Sequence, residues 1–298
     1  MNFTNVMTHH TVLLAEAVEA LAVKLDSTIV DTTFGAGGHA KQLVSQLGEQ
    51  GHYIGIDTDE SALRHTLNEL ENVTLVHGNF RELHSILSNL QLEQVDGILA
   101  DLGWRMEQFS GNGRGFSFRH DEPLLMTLGD PADYAFTARD IVNGWDEHVI
   151  ADIIYGYGEE RFAKRIAKRI VDTRGQTPIE TSKQLSDLIV TAYPAAARHG
   201  RTHVATKTFQ ALRIAVNEEL TAIEQLIEQG IECLSVGGRL VIITFHSIED
   251  RVVKHAFRAA ATSERGTVVT KKPITPSSEE LEQNPRARSA KLRIFEKK

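Results

Sequence analysis

A rhythm that starts, stops and resumes most constrains what this chain can fold into. Over the first hundred residues, short β-branched runs alternate with helical patterns. TIVDTTF (28–34), HYIGIDT (52–58), VTLVHGN (73–79) and VDGILADLG (95–103) read as strands, and HAKQLVSQL, ESALRHTLNEL and FRELHSILSNL read as the helices between them. Strands spaced by single helices call for a parallel sheet with crossover helices. From Gly111 to about His199 no buried strand is evident. A Gly-rich stretch (Gly111–Gly129) leads into helical patterns near 133–143, 146–156, 159–174 and 180–192, punctuated by Pro131, Gly144, Gly158, Gly175 and Pro178. The rhythm then returns. Phe209, Leu212, Val216, Leu220, Ile223 and Ile227 recur at steps of three and four, the mark of one apolar helical stripe. A Gly237-Gly238 turn precedes RLVIITFH (239–246), a buried strand, and GTVVTKK (266–272) and KLRIFEKK (291–298) suit a closing antiparallel pair. The expected architecture is α/β, a Rossmann-like and mostly parallel sheet interrupted by a helical domain. The expected domains are residues 1–112, 113–203 and 204–298, the first and last forming one sheet.

Composition removes several classes. No apolar stretch reaches the about 18 residues of a membrane span. The N-terminus has neither the basic start nor the apolar core of a secretory signal. The single cysteine, Cys233, excludes an internal disulfide and any zinc site built from several thiolates. Cytoplasm is the simple compartment. His9-His10 and His199/His203 have no matching carboxylate or thiol cluster, so no metal is expected.

The 32 basic and 40 acidic side chains give a net charge of −8, which argues against simple coating of nucleic acid. The positive charge is nevertheless local. Arg161–Arg174 carries six Lys/Arg against one acid, Leu188–Asn217 has no Asp or Glu, and Asn284–Lys298 holds six basic residues and one acid. Arg161, Lys164, Arg165, Lys168 and Arg169, with Arg198 and Arg201, are candidate contacts to RNA phosphates. Pairing of Arg165 and Lys168 with Glu159 or Glu160 along one helix is the competing reading.

Four strand ends carry the candidate binding residues. The first strand runs into Asp31-Thr-Thr-Phe-Gly35-Ala-Gly37-Gly38-His39, a turn that lets backbone approach a ligand. It departs from G-x-G-x-x-G by an Ala at the last position, which disfavours a dinucleotide, and no G-x-x-x-x-G-K-[ST] is present for a triphosphate. Asp57, 20 residues after Gly37, is placed to accept both hydroxyls of a ribose. The third strand ends in Gly78-Asn79-Phe80, where Phe80 can cover an adenine face and Asn79 bond its edge. The fourth ends in Asp101-Leu102-Gly103, followed by Trp104 and Gln108. Carboxyl ends of parallel strands are where open α/β sheets bind ligands. An adenosyl ligand follows, and S-adenosylmethionine suits it best: Asp31 can pair with an amino group and the helix start can take a carboxylate. Each residue also has a plain alternative, a tight turn for the glycines, a helix cap for Asp57, core packing for Phe80 and Trp104.

At this point the chain resembles a family, the bacterial 16S ribosomal RNA cytosine-N4 methyltransferases. The resemblance lies in HHTVLLAEAV (9–18), DTTFGAGGH (31–39), GIDTD (55–59), HGNF (77–80), RGFSFRHD (114–121), YGEERFAKRIAKRIV (157–171), ATKTFQALRIAVNEEL (205–220), GGRLVIITFHSIEDRVVK (237–254) and NPRARSAKLRI (284–294), nearly end to end and in order. It implies a class I S-adenosylmethionine-dependent methyltransferase fold with an inserted helical substrate-binding domain. It also implies N4-methylation of a cytidine in the decoding centre of the small ribosomal subunit. The implied cofactor contacts are Gly37, Gly38, His39, Asp57, Phe80, Asp101 and Gln108. Asp101, or a backbone carbonyl of Leu102-Gly103-Trp104, is the candidate acceptor for an amine hydrogen, Trp104 the candidate stacking partner of the base, and His246 a candidate for substrate placement. His246 can equally be a satisfied histidine beside a helix capped by Ser247.

Two segments depart from the family pattern. Trp104-Arg105-Met106-Glu107 stands where a small residue or valine followed by Ser-Ser-Pro is usual, and Met126-Thr-Leu-Gly-Asp130 where Met-Arg-Met-Asp is usual. The first keeps a rival in view, a catalytically altered relative that binds S-adenosylmethionine or RNA as an assembly factor. Small-subunit ribosomal RNA is the expected partner, with no membrane and with a homodimer left open.

Overall fold

The computed structural model describes residues 10–60, 64, 70–102, 113–198, 200 and 202–298. The chain divides into two compact units, Met1–Gly103 with Leu220–Lys298, and Trp104–Glu219. Among the described residues no helix is long and apolar enough to cross a membrane.

The first unit is built on a seven-stranded sheet. Helix α1 (Leu14–Leu21) leads to β1 (Thr28–Asp31), α2 (Gly38–Val44), β2 (His52–Asp57), β3 (Val73–His77), α3 (Leu83–Asn89) and β4 (Val95–Asp101). The expected helix over ESALRHTLNEL lies largely outside the described residues. In the second unit come α4 (Ala138–Gly144), α5 (Glu147–Gly158), α6 (Ala163–Arg174), α7 (Ser182–Ala192) and α8 (Thr206–Asn217). The first unit resumes with α9 (Glu219–Cys233, its first residue still in the second unit), β5 (Leu234–Thr244), α10 (Ser247–Thr262), β6 (Gly266–Val268), α11 (Ser278–Gln283) and β7 (Lys291–Lys297).

The strand order is β3-β2-β1-β4-β5-β7-β6. The first five are parallel, and β7 runs antiparallel to both β5 and β6, the closing pair expected from GTVV and KLRIF. Strands with apolar residues on both faces belong in a sheet covered on both sides. Val30, Ile54, Ile98 and Ile242 feed one apolar layer with Phe257 and Leu226, while Ile29, Tyr53, Leu99 and Val241 feed the other with Leu13 and Leu43. The order reverses between β1 and β4, and in such sheets the crevice at the reversal is where ligands bind.

Three expectations need correction. The stripe from Phe209 to Ile227 is not one helix. Glu218 adopts a left-handed backbone (φ 47°) and separates α8 from α9. Phe209, Leu212 and Val216 are buried in the core of the helical unit, whereas Ile223 and Ile227 are buried against the sheet. The helical unit therefore extends through α8 to Glu219, where a boundary after residue 203 was expected. Strand β5 begins at Leu234 rather than at Arg239. The Gly237-Gly238 turn is an irregularity inside the strand, between the pairs Val95↔Leu234 and Gly97↔Arg239. Cys233 is the last residue of α9, and burial pushes its thiol up.

The helical unit has its own apolar core, with Ile141, Ile150, Ile154, Ile166, Leu185 and Ile189 fully buried. Capping boxes start α4 (Thr137 with Asp140) and α7 (Thr181 with Gln184). Each cap stabilises its helix by about 1 kcal/mol. Glu160 is only 2% exposed, and its carboxylate accepts the Tyr193 hydroxyl at 2.5 Å and the Phe162 N–H at 2.8 Å, fixing the entry to α6. Burial, then the carboxylate of Glu160, pushes the Tyr193 hydroxyl well up.

A candidate cofactor site at the strand ends

The turn after β1 is set by backbone conformation. Gly35 (φ 59°) and Gly37 (φ 71°) both sit in the left-handed region, which costs a side-chain-bearing residue about 1–2 kcal/mol. Gly38 has a different reason to be glycine, because a Cβ there would stand 1.9 Å from Thr11 Oγ1. His39 lies in the first turn of α2, 5% exposed, with Nδ1 4.0 Å from the Asp101 carboxylate.

Asp57 ends β2. One carboxylate oxygen accepts the Gly35 N–H at 2.7 Å and the other the Asp59 N–H at 2.8 Å. These two backbone bonds orient the carboxylate. The Gly35 bond also ties the glycine turn to the end of β2, beside the Phe34 N–H···O=C Ile56 bond at 3.0 Å. Phe80 follows β3 and is half-buried against the layer that holds Leu83 and Ile86. Asn79 caps that turn, its side chain accepting the Arg81 N–H at 3.0 Å. That bond takes one acceptor position of the side-chain oxygen. Asp101 ends β4 with its side chain 22% exposed and its N–H on Thr33 Oγ1 at 2.7 Å. Gly37, Gly38, His39, Asp57, Phe80 and Asp101 thus occupy the carboxyl ends of four adjacent strands or the turns after them. Trp104, Gln108 and Arg201 lie outside the described residues.

Asp31 is corrected. It is 1% exposed and faces inward, accepting the Tyr53 hydroxyl at 2.9 Å and the Thr33 N–H at 3.0 Å. Burial raises its carboxyl to about 6 against those hydrogen bonds, with the nearby Asp57 charge adding to the rise. It supports the turn from inside through Thr33, whose hydroxyl also receives the Asp101 N–H.

His246, not Ser247, is the N-cap of α10. Its Nδ1 accepts the Glu249 N–H at 3.3 Å, and the Glu249 carboxylate holds the N–H groups of Phe245 and His246. Glu249 also stands 3.0 Å from His246 Nε2. The next residue, Asp250, does a job the sequence did not disclose. It is 8% exposed and accepts Arg293 at 2.6 and 3.2 Å and Lys291 at 3.0 Å, joining the start of α10 to β7. Burial pushes its carboxyl up, but these hydrogen bonds and charges outweigh it and hold it below the usual range.

In the helical unit, α6 buries Ala163, Ile166, Ala167 and Ile170. Lys164, Arg165, Lys168 and Arg169 of α6 are exposed, as is Arg161 before it, whose guanidinium lies over the Phe162 ring at 4.6 Å. Glu160 is not the partner of this face, being turned inward to Tyr193. Lys168 pairs with Asp172 instead, a surface pair worth little. Arg198 is exposed and bonds the Tyr193 carbonyl at 3.1 Å.

The donor set at the strand ends fits an adenosyl group. The two left-handed glycines bare the backbone, Asp57 presents an oriented carboxylate for a diol, and Phe80 offers a half-buried ring. The MraW methylase family model matches residues 6–298. Ribosomal RNA small subunit methyltransferase H of Paenibacillus sp. (strain JDR-2) is 45% identical over 316 aligned positions, covering 97% of this chain and 99% of that protein. The protein of the same name from Brevibacillus brevis (strain 47 / JCM 6285 / NBRC 100599) is 44% identical, with 99% of each chain covered. With a match that runs nearly end to end on a mostly parallel class I methyltransferase sheet, the chain belongs to the MraW methylase family.

Proposed function

We propose that this protein methylates the exocyclic N4 amine of a cytidine in the decoding centre of 16S ribosomal RNA, with S-adenosylmethionine as methyl donor, in the cytoplasm. The observation that carries the reading is the near full-length family match, with relatives named for small-subunit ribosomal RNA methylation. S-adenosylmethionine supplies, when bound, an electrophilic methyl group on a sulfonium.

The chain's own residues then have two tasks, holding the donor and presenting the amine. Gly37, Gly38, His39, Asp57, Phe80, Asp101 and Gln108 hold the donor, Asp57 through the ribose hydroxyls and Phe80 through the adenine face. The cytosine amine is a poor nucleophile because its lone pair is conjugated with the ring. Alignment is therefore the main contribution, and positioning can supply about 7–11 kcal/mol in good cases. An acceptor must also take hydrogen bonds from the amine as it pyramidalises. The Asp101 carboxylate, partly exposed at the end of β4, suits that role, with Trp104 to stack on the base and His246 to help place it. The residues of the helical unit, 113–203 in the sequence reading, contribute the RNA contacts. These are the exposed Arg161, Lys164, Arg165, Lys168, Arg169 and Arg198, together with Arg201.

The deciding experiment is methyl transfer to small ribosomal subunits that lack the modification, followed by nucleoside analysis. N4-methylcytidine is expected, and a different methylated nucleoside or none would refute the assignment. For the donor site, Asp57→Ala is expected to weaken S-adenosylmethionine binding by roughly 10- to 100-fold in calorimetry, as lost hydrogen bonds to a charged acceptor imply. Unchanged affinity would remove Asp57 from the site. For the basic face, about six phosphate contacts predict a slope near −4 for log affinity against log salt. Charge-removing changes at Lys164 and Arg165 together should flatten it by about 1.4, and an unaltered slope would place the RNA elsewhere.

A further inference from the structure

The helical unit carries an exposed aromatic stack that the basic residues do not account for. The imidazole of His203 lies nearly parallel to the Phe118 ring, with centroids 4.5 Å apart and planes 16° apart. Phe118 meets Phe209 edge-on at 5.5 Å and 86°, and Phe209 is buried in the core of the unit. A second contact fixes the imidazole, since Nδ1 accepts the Ala205 N–H at 3.2 Å. Nδ1 is thereby the acceptor nitrogen of the ring. His203 is itself exposed and Phe118 half-buried, so the stack ends at the surface. It stands in Leu188–Asn217, where the sequence has no acid, and exposed Arg119 adjoins Phe118 in the chain.

An exposed side chain ordinarily keeps its rotamer freedom, because fixing it costs entropy with little burial in return. Here a ring stack and a backbone bond hold the ring flat. A ring held in advance loses little more on meeting a second flat group. Bases of a single strand present such flat faces, and stacking on protein rings is the usual way unpaired RNA bases are held. We propose that His203, backed by Phe118, is a stacking platform for an unpaired nucleobase of the RNA substrate. This is a stacking contact, different in kind from the phosphate contacts of α6. The inference rests on the RNA reading given above.

The test compares His203→Phe with His203→Leu. Both lose the bond to the Ala205 N–H, and only the first keeps a π face. The measurement is the dissociation constant for unmodified small ribosomal subunits over a salt series, with thermal unfolding as a check on folding. Stacking by one base corresponds to about 5- to 160-fold in affinity. His203→Leu should weaken binding within that range with the salt slope unchanged, and His203→Phe should stay within about 3-fold of the parent. Three outcomes overturn the platform: equal binding by both variants and the parent, equal weakening of both, or a flatter salt slope in both. The first denies any contact, the second assigns the effect to the helix start, and the third assigns it to charge. If the parent chain itself fails to bind the subunits, the RNA reading fails, and the platform with it.

Discussion

Replacing Arg293 with Ala should destabilise the sheet unit by about 3–5 kcal/mol, the usual cost of leaving one member of a buried ion pair behind. The Arg293 side chain is 6% exposed, and its guanidinium clamps both oxygens of Asp250, which is itself nearly buried. Removal leaves the carboxylate with Lys291 alone, a side chain 34% exposed and correspondingly less desolvated. Arg293→Lys should cost less but not nothing, since a point charge cannot reproduce the fork. The Asp250→Ala, Arg293→Ala double variant should lose clearly less than the sum of the single losses, because it removes the orphaned charge. Hydrogen exchange of the amides in β5 and β7 reads this unit separately from the helical one. Strict additivity of the two losses would show that the pair does not act as a unit.

The second large effect concerns pH. Burial raises the Asp31 carboxyl from 3.8 to about 6 in the folded chain. Between those values the native state binds the proton more tightly than the unfolded state does. Stability therefore falls as pH rises from about 4 to about 6, by about 3 kcal/mol from this group at roughly 1.4 kcal/mol per pH unit. Asp250 slopes the other way, since its carboxyl is held low and its contribution is lost as pH falls through that lowered value. The total profile mixes both, so the informative quantity is a difference. Asp31→Asn can keep the Thr33 N–H bond with its amide oxygen and donate its NH₂ to the Tyr53 oxygen. Its stability relative to the parent should rise by about 3 kcal/mol between pH 4 and pH 7. A difference that stays constant across that range would show that Asp31 titrates as an ordinary carboxylate.

What could be read in advance follows from the range of the forces involved. β1 to β4 and the residues at their ends were legible because alternating apolar runs and glycine turns are local signals. Asp57 and Asp101 follow directly from where those strands stop. The split sheet and the closing antiparallel pair were legible for the same reason. The break at Glu218 was not, since neither glycine nor proline marks it and the apolar stripe runs straight through. What divides it is which core each half enters. The inward turn of Asp31 is not legible, because its Tyr53 partner stands on the neighbouring strand and nothing in DTTFGAGGH discloses it. Glu160 with Tyr193, and Asp250 with Arg293, are pairs separated by 33 and 43 residues, invisible to any helix-face argument. The cap of α10 falls one residue before Ser247, the commoner cap type, because here an imidazole nitrogen does the accepting.

The interrupted sheet also carries a consequence for the order of assembly. β4 and β5 are hydrogen-bonded neighbours, yet the whole of Trp104–Glu219 separates them in the chain. Bringing the ends of a flexible segment that long together costs entropy that grows with the logarithm of its length. A segment already condensed around its own apolar core no longer samples those extended states. Early maturation of the helical segment should thus hasten the pairing of β4 with β5, and mutations that slow it should delay closure of a sheet they never touch.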